Sequence, residues 1–187
     1  MSDEIVIPPG PMTREEYYAW AEQQPAGRFE LVDGRVVAMA PERVAHARVK
    51  AAAWLSLRNA IRAAGSRCEA LIDGVAVEID AGTSYQPDAL VNCGERPDPN
   101  AKVAPAPVIV VEVTSPSTAR LDAVRKLADY FRVPSIHHYL ILDAEKRMTI
   151  HHQRRDDGTL TTRIAGSGPI TLDPPGIAIR IEDLFEA

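Results

Sequence analysis

Glu112 lies inside an apolar run, Val108 to Val113, of the kind that forms a strand buried on both faces. An ionised carboxylate left there without a partner would sooner give up its charge than stay dry. A second carboxylate, Asp88, follows Pro87 on another expected strand, 24 residues earlier. Two carboxylates projecting from neighbouring strands can share a divalent cation, because hard ions such as Mg²⁺ take oxygen ligands and keep several waters. Such an ion would supply the positive charge that Glu112 otherwise lacks.

A lysine completes the set. After "TSPST" the pattern predicts a helix to about Arg132, with Thr118 as N-cap, Asp122 in the first turn and Pro134 beyond its end. Helical spacing puts Leu121, Val124, Ala128 and Phe131 on an apolar face and Asp122, Lys126 and Tyr130 on a different stripe. Lys126 is therefore expected outside the helix's own core stripe, leaning over the cation from the side. A plainer reading stands beside this one: Asp122 and Lys126 form an i,i+4 surface pair worth about 0.2–0.5 kcal/mol. Asp88 taken alone reads more readily as an ordinary strand-end carboxylate than as a ligand, and Glu112 otherwise as the partner of a buried Arg or Lys or as a strand end reaching solvent.

The elements that must position these residues follow from local signals. Thr13 with Glu16 forms a capping-box pattern for a short helix ending before Pro25. "RFELVDGRVVAMA" is two apolar runs around Asp33-Gly34, a tight hairpin. Glu42 to Ala64 is rich in Ala, Leu and Arg without Pro or Gly, and Gly65 stands where a helix C-cap belongs. "LIDGVAVEID" reads as a strand with Val75, Val77 and Ile79 on one face, and "TSYQPDALV" as the next strand. "HHYLILD" reads as a buried strand, "MTIHHQRRDDGTLTTRI" as a hairpin turning at Asp157-Gly158, and the tail as one short strand and a helical turn. The sum is an α/β (α+β) fold, one domain over residues 1–187 with a mixed central sheet flanked by helices. Within it, residues 1–12 are expected to be a flexible N-terminal segment.

Composition excludes several classes. With 187 residues, 45% hydrophobic, 25% charged and net charge −5, the chain suits a globular domain rather than one that coats nucleic acid by bulk charge. No apolar stretch approaches the roughly 20 residues that span a bilayer. "MSDEIVIPPGP" has no signal-peptide pattern, and Cys68 and Cys93 lack metal spacing, so a cytoplasmic protein without disulfides is expected. His137-His138 and His151-His152 invite a zinc reading, but adjacent strand residues point to opposite faces.

"FELVDG", His46 near the start of a long helix, "QPDALV", "VVEVTSPST", "DAVRK" and the following Tyr130 together resemble the Uma2-type endonucleases of the PD-(D/E)xK restriction-endonuclease-like superfamily. The resemblance runs from about Thr13 to the end of the chain. It implies a restriction-endonuclease-like core with N-terminal and C-terminal hairpins. It also implies metal ligands at Asp88, Glu112 and the Val113 backbone carbonyl, with Mg²⁺ or Mn²⁺ as cofactor. Lys126 would orient or deprotonate the attacking water, or stabilise charge on the phosphate, Glu30 would be a further acidic catalytic position, and Tyr130 and His46 would stand behind the ligands or on the substrate side. Glu30 reads otherwise as a partner of Arg28 or Arg35 across its hairpin, and His46 as a helix-surface group. One departure is plain: Thr114 stands two residues after Glu112, where the superfamily pattern places its lysine.

Three function classes follow: a metal-dependent DNA endonuclease, a silent nuclease-fold binding module, and another metal-dependent phosphoesterase. Arg43, Arg48, Lys50, Arg58, Arg62, Arg120 and Arg125 are the expected phosphate contacts, giving weak, salt-sensitive DNA binding. A homodimer is expected, since two-fold pairs are the commonest assemblies, with Ile5, Val6 and Ile7 as contact points.

Overall fold

Thr13 caps α1 (Arg14–Ala21) with both halves of the capping box. Glu16 N–H donates to Thr13 Oγ1 at 3.3 Å, and Thr13 N–H donates to Glu16 Oε2 at 2.8 Å. β1 (Phe29–Val32) and β2 (Arg35–Ala38) reverse at Asp33 and Gly34, whose φ values of 50° and 74° are what a two-residue hairpin needs. α2 (Val44–Ala63) ends two residues before Gly65, which takes φ 61°. The computed structural model describes residues 5–114 and 119–186, without the side chains of 119–123. Thr118 and the side chains of Arg120, Leu121 and Asp122 therefore lie outside the described residues.

Two larger sheets share the chain. A four-stranded sheet runs β2-β1-β5-β4, with β4 (Val77–Asp80) and β5 (Thr83–Tyr85). A six-stranded sheet runs β10-β9-β8-β7-β6-β3. Its members are β3 (Glu69–Ile72), β6 (Ala89–Asn92), β7 (Pro107–Thr114), β8 (His138–Asp143), β9 (Met148–Arg154) and β10 (Leu160–Ala165). β7 and β8 are parallel, joined through α3 (Ala119–Tyr130), because parallel neighbours need a crossover. A last hairpin, β11 (Pro169–Leu172) and β12 (Ile177–Arg180), precedes a 3₁₀ turn.

Period-2 alternation decides what each face meets. Ala89, Val91, Ile109, Val111 and Val113 pack with Val49, Ala53, Leu57 and Ile61 of α2 and with the last hairpin. Leu90, Val110 and Ile141 pack on the opposite face with Tyr85, Tyr130 and Tyr139. Glu112 has the parity of Val110, so it points into the face that α3 covers. α1 closes a third cluster over the first hairpin through Tyr17, whose hydroxyl donates to Phe29 O at 2.6 Å.

Several expectations need correction. "TSYQPDALV" is two strands in different sheets: Pro87 has no N–H for a ladder, and Asp88 sits at the bend just before β6 rather than within a strand. "LIDGVAVEID" likewise divides at Asp73-Gly74, both at positive φ, between β3 and β4, although Val75, Val77 and Ile79 do share one apolar cluster. The tail carries one strand more than expected. α3 is rotated from its predicted orientation: Val124 is 68% exposed and Ala128 faces solvent, while Lys126 at 6% and Tyr130 at 0% point inward. Cys68 and Cys93 are disulfide-bonded, because antiparallel pairing of β3 with β6 sets them opposite each other, Cα atoms 4.3 Å apart.

Candidate active site

Two buried carboxylates, each with its own buried lysine, meet where β6 and β7 lie side by side. Asp88 belongs to the α2 side. Its Oδ1 is 2.9 Å from Lys50 Nζ, and its Oδ2 accepts the Val113 N–H at 2.7 Å and lies 3.1 Å from His46 Nε2. Burial pushes the Asp88 carboxyl up, but the bonds from His46 and Val113 and the charge of Lys50 outweigh it, and the net shift is downward. Lys50 is 4% exposed and also holds Glu42 Oε1 at 2.7 Å and Asp73 Oδ2 at 3.1 Å. Burial opposes its charge, but these carboxylates more than compensate and its pKa rises.

Glu112 belongs to the α3 side. Its Oε1 accepts from Lys126 Nζ at 3.0 Å and from the Tyr130 hydroxyl at 2.7 Å. Lys126 bridges onward to Glu30 Oε1 at 3.1 Å and lies 5.0 Å from the centroid of the Tyr85 ring. Glu30 Oε1 accepts the Gln86 N–H at 3.0 Å, tying β1 to the segment that leads into Asp88. Burial dominates at Glu112 and lifts its pKa to about 7; Lys126 and Tyr130 pull it down, while Asp88 and Glu30 push it further up. Tyr130 itself is held well above its ordinary value by burial and by Glu112.

The predicted residues are thus brought together, with two changes of company. Glu30 pairs with Lys126 rather than with Arg28 or Arg35, and Arg28 pairs with Asp73. Lys50, expected on the DNA-facing surface, is buried as the counter-charge of Asp88. Among the described residues, the one group of three or more His, Cys, Asp or Glu side chains with ligand atoms all within 4.8 Å of one another is Glu42, His46 and Asp88. The histidine pairs instead give a direct contact across β8 and β9: His138 Nδ1 lies 3.0 Å from His151 Nε2, and burial lowers both to about 4. Thr114 donates its hydroxyl to Leu142 O at 3.5 Å.

The donor set fits a hard divalent cation. Glu42, Asp73 and Asp88 form one ion-pair network with Lys50 and Arg28, and Glu30 and Glu112 form a second with Lys126, so each network has one named carboxylate more than its named fixed cations. Oxygen donors with one imidazole suit Mg²⁺ or Mn²⁺.

Residues 14–182 match the family Uma2, described as "putative restriction endonuclease". The chain belongs to the Uma2 family. An uncharacterized protein of Synechocystis is 26% identical over 176 residues, covering 93% of this chain and 91% of that one. The crystal structure of "a putative nuclease belonging to DUF820" from Anabaena variabilis aligns with TM-score 0.74 at 13% identity, over 94% of this chain and 98% of that one. That likeness establishes the nuclease-like α+β fold. This Uma2 chain has no helix, among the described residues, long and apolar enough to cross a membrane.

Site residues that sequence reasoning missed in this Uma2 member are Glu42, Lys50 and Asp73. Glu42, His46 and Lys50 recur every four residues, and that single stripe was the available signal. Asp73 gave none: it reaches the site only because the turn after β3 folds back, its N–H donating to Asp88 O at 3.1 Å.

Proposed function

We infer that this chain is a metal-dependent DNA endonuclease whose ligands are Asp88, Glu112 and the Val113 carbonyl, with His46 and Glu42 beside them. The supporting observation is the pair of buried carboxylates where the start of β6 meets β7, each in a network with one named carboxylate more than its fixed cations. In an extended strand the N–H and C=O of a residue leave on the same side, so the Val113 carbonyl shares the side on which its N–H meets Asp88. Lys126 and Tyr130 both use Oε1 of Glu112, which leaves Oε2 as the oxygen for a cation. A bound ion polarises the scissile phosphate and brings a water towards neutrality in pKa.

The chain's own residues do the rest. Lys50 and His46 keep Asp88 ionised and oriented. Lys126, fixed between Glu30, Glu112 and the Tyr85 ring, places a positive charge at the rim of the carboxylate pair, suited to stabilise charge on the phosphate or to orient the attacking water. Arg43, Arg48, Arg58 and Arg62 are exposed on α2 and supply phosphate contacts. In an acidic chain these give weak, salt-sensitive DNA binding.

The test is plasmid cleavage in Mg²⁺ or Mn²⁺, with an EDTA control and Glu112→Ala and Lys126→Ala variants. Nicking that disappears in EDTA and in both variants is the expected result. A second reading, a metal-binding module without turnover, draws on Thr114, which stands two residues after Glu112 where the superfamily pattern places its lysine. Metal binding by calorimetry that requires Glu112, with no cleavage by the wild type, would select it.

A further inference from the structure

β10 is the outermost strand of the six-stranded sheet and pairs with β9 alone. The opposite rim is guarded: on β3, Trp54 Nε1 of α2 donates to Ala70 O at 3.0 Å. β10 has no such cover among the described residues, and every residue from Leu160 to Ile164 is exposed. Natural sheets blunt such rims with Lys, Pro, charged side chains or bulges. β10, "LTTRIA", carries none except Arg163, and that side chain bends away to donate to Pro169 O at 2.6 Å.

Ladder phase shows which backbone groups look outward. Arg154 N–H donates to His137 O, on the β8 side. Alternation then turns Gln153, His151 and Thr149 towards β10, where they face Thr161, Arg163 and Ala165. Leu160, Thr162 and Ile164 are left with N–H and C=O directed at the open rim. The same three side chains share one face, with Leu160 42% and Ile164 63% exposed.

We propose that β10 is a homodimer interface, pairing antiparallel with β10 of a second copy across a two-fold axis at Thr162. In that register Leu160 faces Ile164 of the second copy, Thr162 faces Thr162, and each facing pair exchanges both backbone bonds. Apolar meets apolar twice, and the contact is isologous as two-fold symmetry requires. The register also carries the exposed Asp156-Asp157 tip of one copy to the Gly166–Gly168 turn of the other. There the Arg163 guanidinium rests, 3.7 Å from where a Cβ on Gly168 would stand. Acid therefore meets base at both ends. β10 is separated from β7 by β9 and β8, so the pairing leaves the carboxylate site uncovered. One strand per copy is a small contact beside a standard interface of about 1,600 Å², so the dimer is weak, with a Kd in the micromolar range.

Light scattering from about 5 to 200 µM, a span that brackets such a Kd, reads the mass. The wild type should pass from one chain towards two, and Ile164→Lys and Leu160→Lys should each stay monomeric with an unchanged thermal midpoint. Amide exchange supplies the reading specific to this geometry. Protection at Leu160, Thr162 and Ile164 should rise with concentration, while Thr161, Arg163 and Ala165 stay protected throughout. A monomeric wild type across the range overturns the proposal. So does a dimer that both lysine variants retain, which would move the contact to the N-terminal segment or elsewhere.

Discussion

Asp88 is held by residues of α2 and Glu112 by residues of α3, and the protein treats the two neighbouring carboxylates in opposite ways. Asp88 is surrounded by donors: an ammonium, an imidazole and a backbone N–H hold it ionised. Glu112 shares its ammonium with Glu30 and has Asp88 nearby, so burial wins and its pKa reaches about 7. The difference lies in the other neighbours, since Asp88 has His46 and the Val113 N–H as further donors while Glu112 has Asp88 and Glu30 pushing its pKa up. Lys50 sits among Glu42, Asp73 and Asp88 on a long helix whose next turns are packed in the core, whereas Lys126 comes from a helix whose other face is solvent. One carboxylate is a fixed charge, and the other holds its proton up to about neutral pH.

The hardest break is Lys50→Met. Removing one partner of a buried ion pair leaves the other uncompensated and costs about 3–5 kcal/mol. Urea unfolding in EDTA should show that loss for Lys50→Met with little change between pH 6 and 8, because Asp88 stays ionised over that range. Lys126→Met should cost clearly less at pH 6 than at pH 8, since Glu112 can take a proton in place of its lost partner. Equal costs for the two variants at both pH values would erase the distinction between the sites.

Titration of the metal-free protein separates the carboxylates directly. A raised pKa means that Glu112 contributes stability that is fully present below about 4.5 and lost as pH rises through about 7. Asp88, shifted down, does the reverse: its contribution is present above 3.8 and lost as pH falls below it. Between pH 5 and 8, wild type should therefore lose on the order of 2 kcal/mol relative to Glu112→Gln. A constant difference across that range would show that Glu112 is already ionised in the apo protein.

Adding the cation should reverse that trend. A ligand present at 100 times its Kd stabilises by about 2.7 kcal/mol. Millimolar Mn²⁺ should raise the wild-type thermal midpoint more at pH 8 than at pH 6, because binding must displace the Glu112 proton at the lower pH. Asp88→Asn and Glu112→Gln should each abolish the rise. A rise retained in Glu112→Gln but lost in Glu42→Gln would put the ion among Glu42, His46 and Asp88 instead.

Much of the frame was legible because its signals are local. Thr13 with Glu16, Asp33-Gly34, Gly65, the buried runs of β7 and β8 and the helix between them all act within a few residues. The charge pattern of the site was legible too, since Glu112 in an apolar strand demands a partner. What failed was anything decided across the chain. Periodicity ranked Val124 above Lys126 for the core, yet Lys126 is buried because Glu30, 96 residues away, waits for it. Local pattern puts Pro87 inside a single strand, "TSYQPDALV", and only the second sheet explains why the chain changes partners there. Cys68 and Cys93 pair because of a strand register that no spacing rule announces.

The smallest expected effect is the most selective. Tyr130→Phe removes one hydroxyl that donates to Glu112 Oε1 at 2.7 Å and changes nothing else in the packing of the ring among Tyr85 and Tyr139. A hydrogen bond to a charged group is worth about 1.5–3 kcal/mol and one to a neutral group about 1 kcal/mol. At pH 8, with Glu112 ionised, the variant should lose roughly twice what it loses at pH 5, where the carboxyl is neutral. Removing the donor also lifts the Glu112 pKa further, so the variant should need a higher pH than wild type to show its full Mn²⁺ stabilisation. If the cost is the same at pH 5 and pH 8, the hydroxyl serves the packing of Tyr130 alone. The contrast between a fixed Asp88 and a titrating Glu112 would then have to rest on Lys126 by itself.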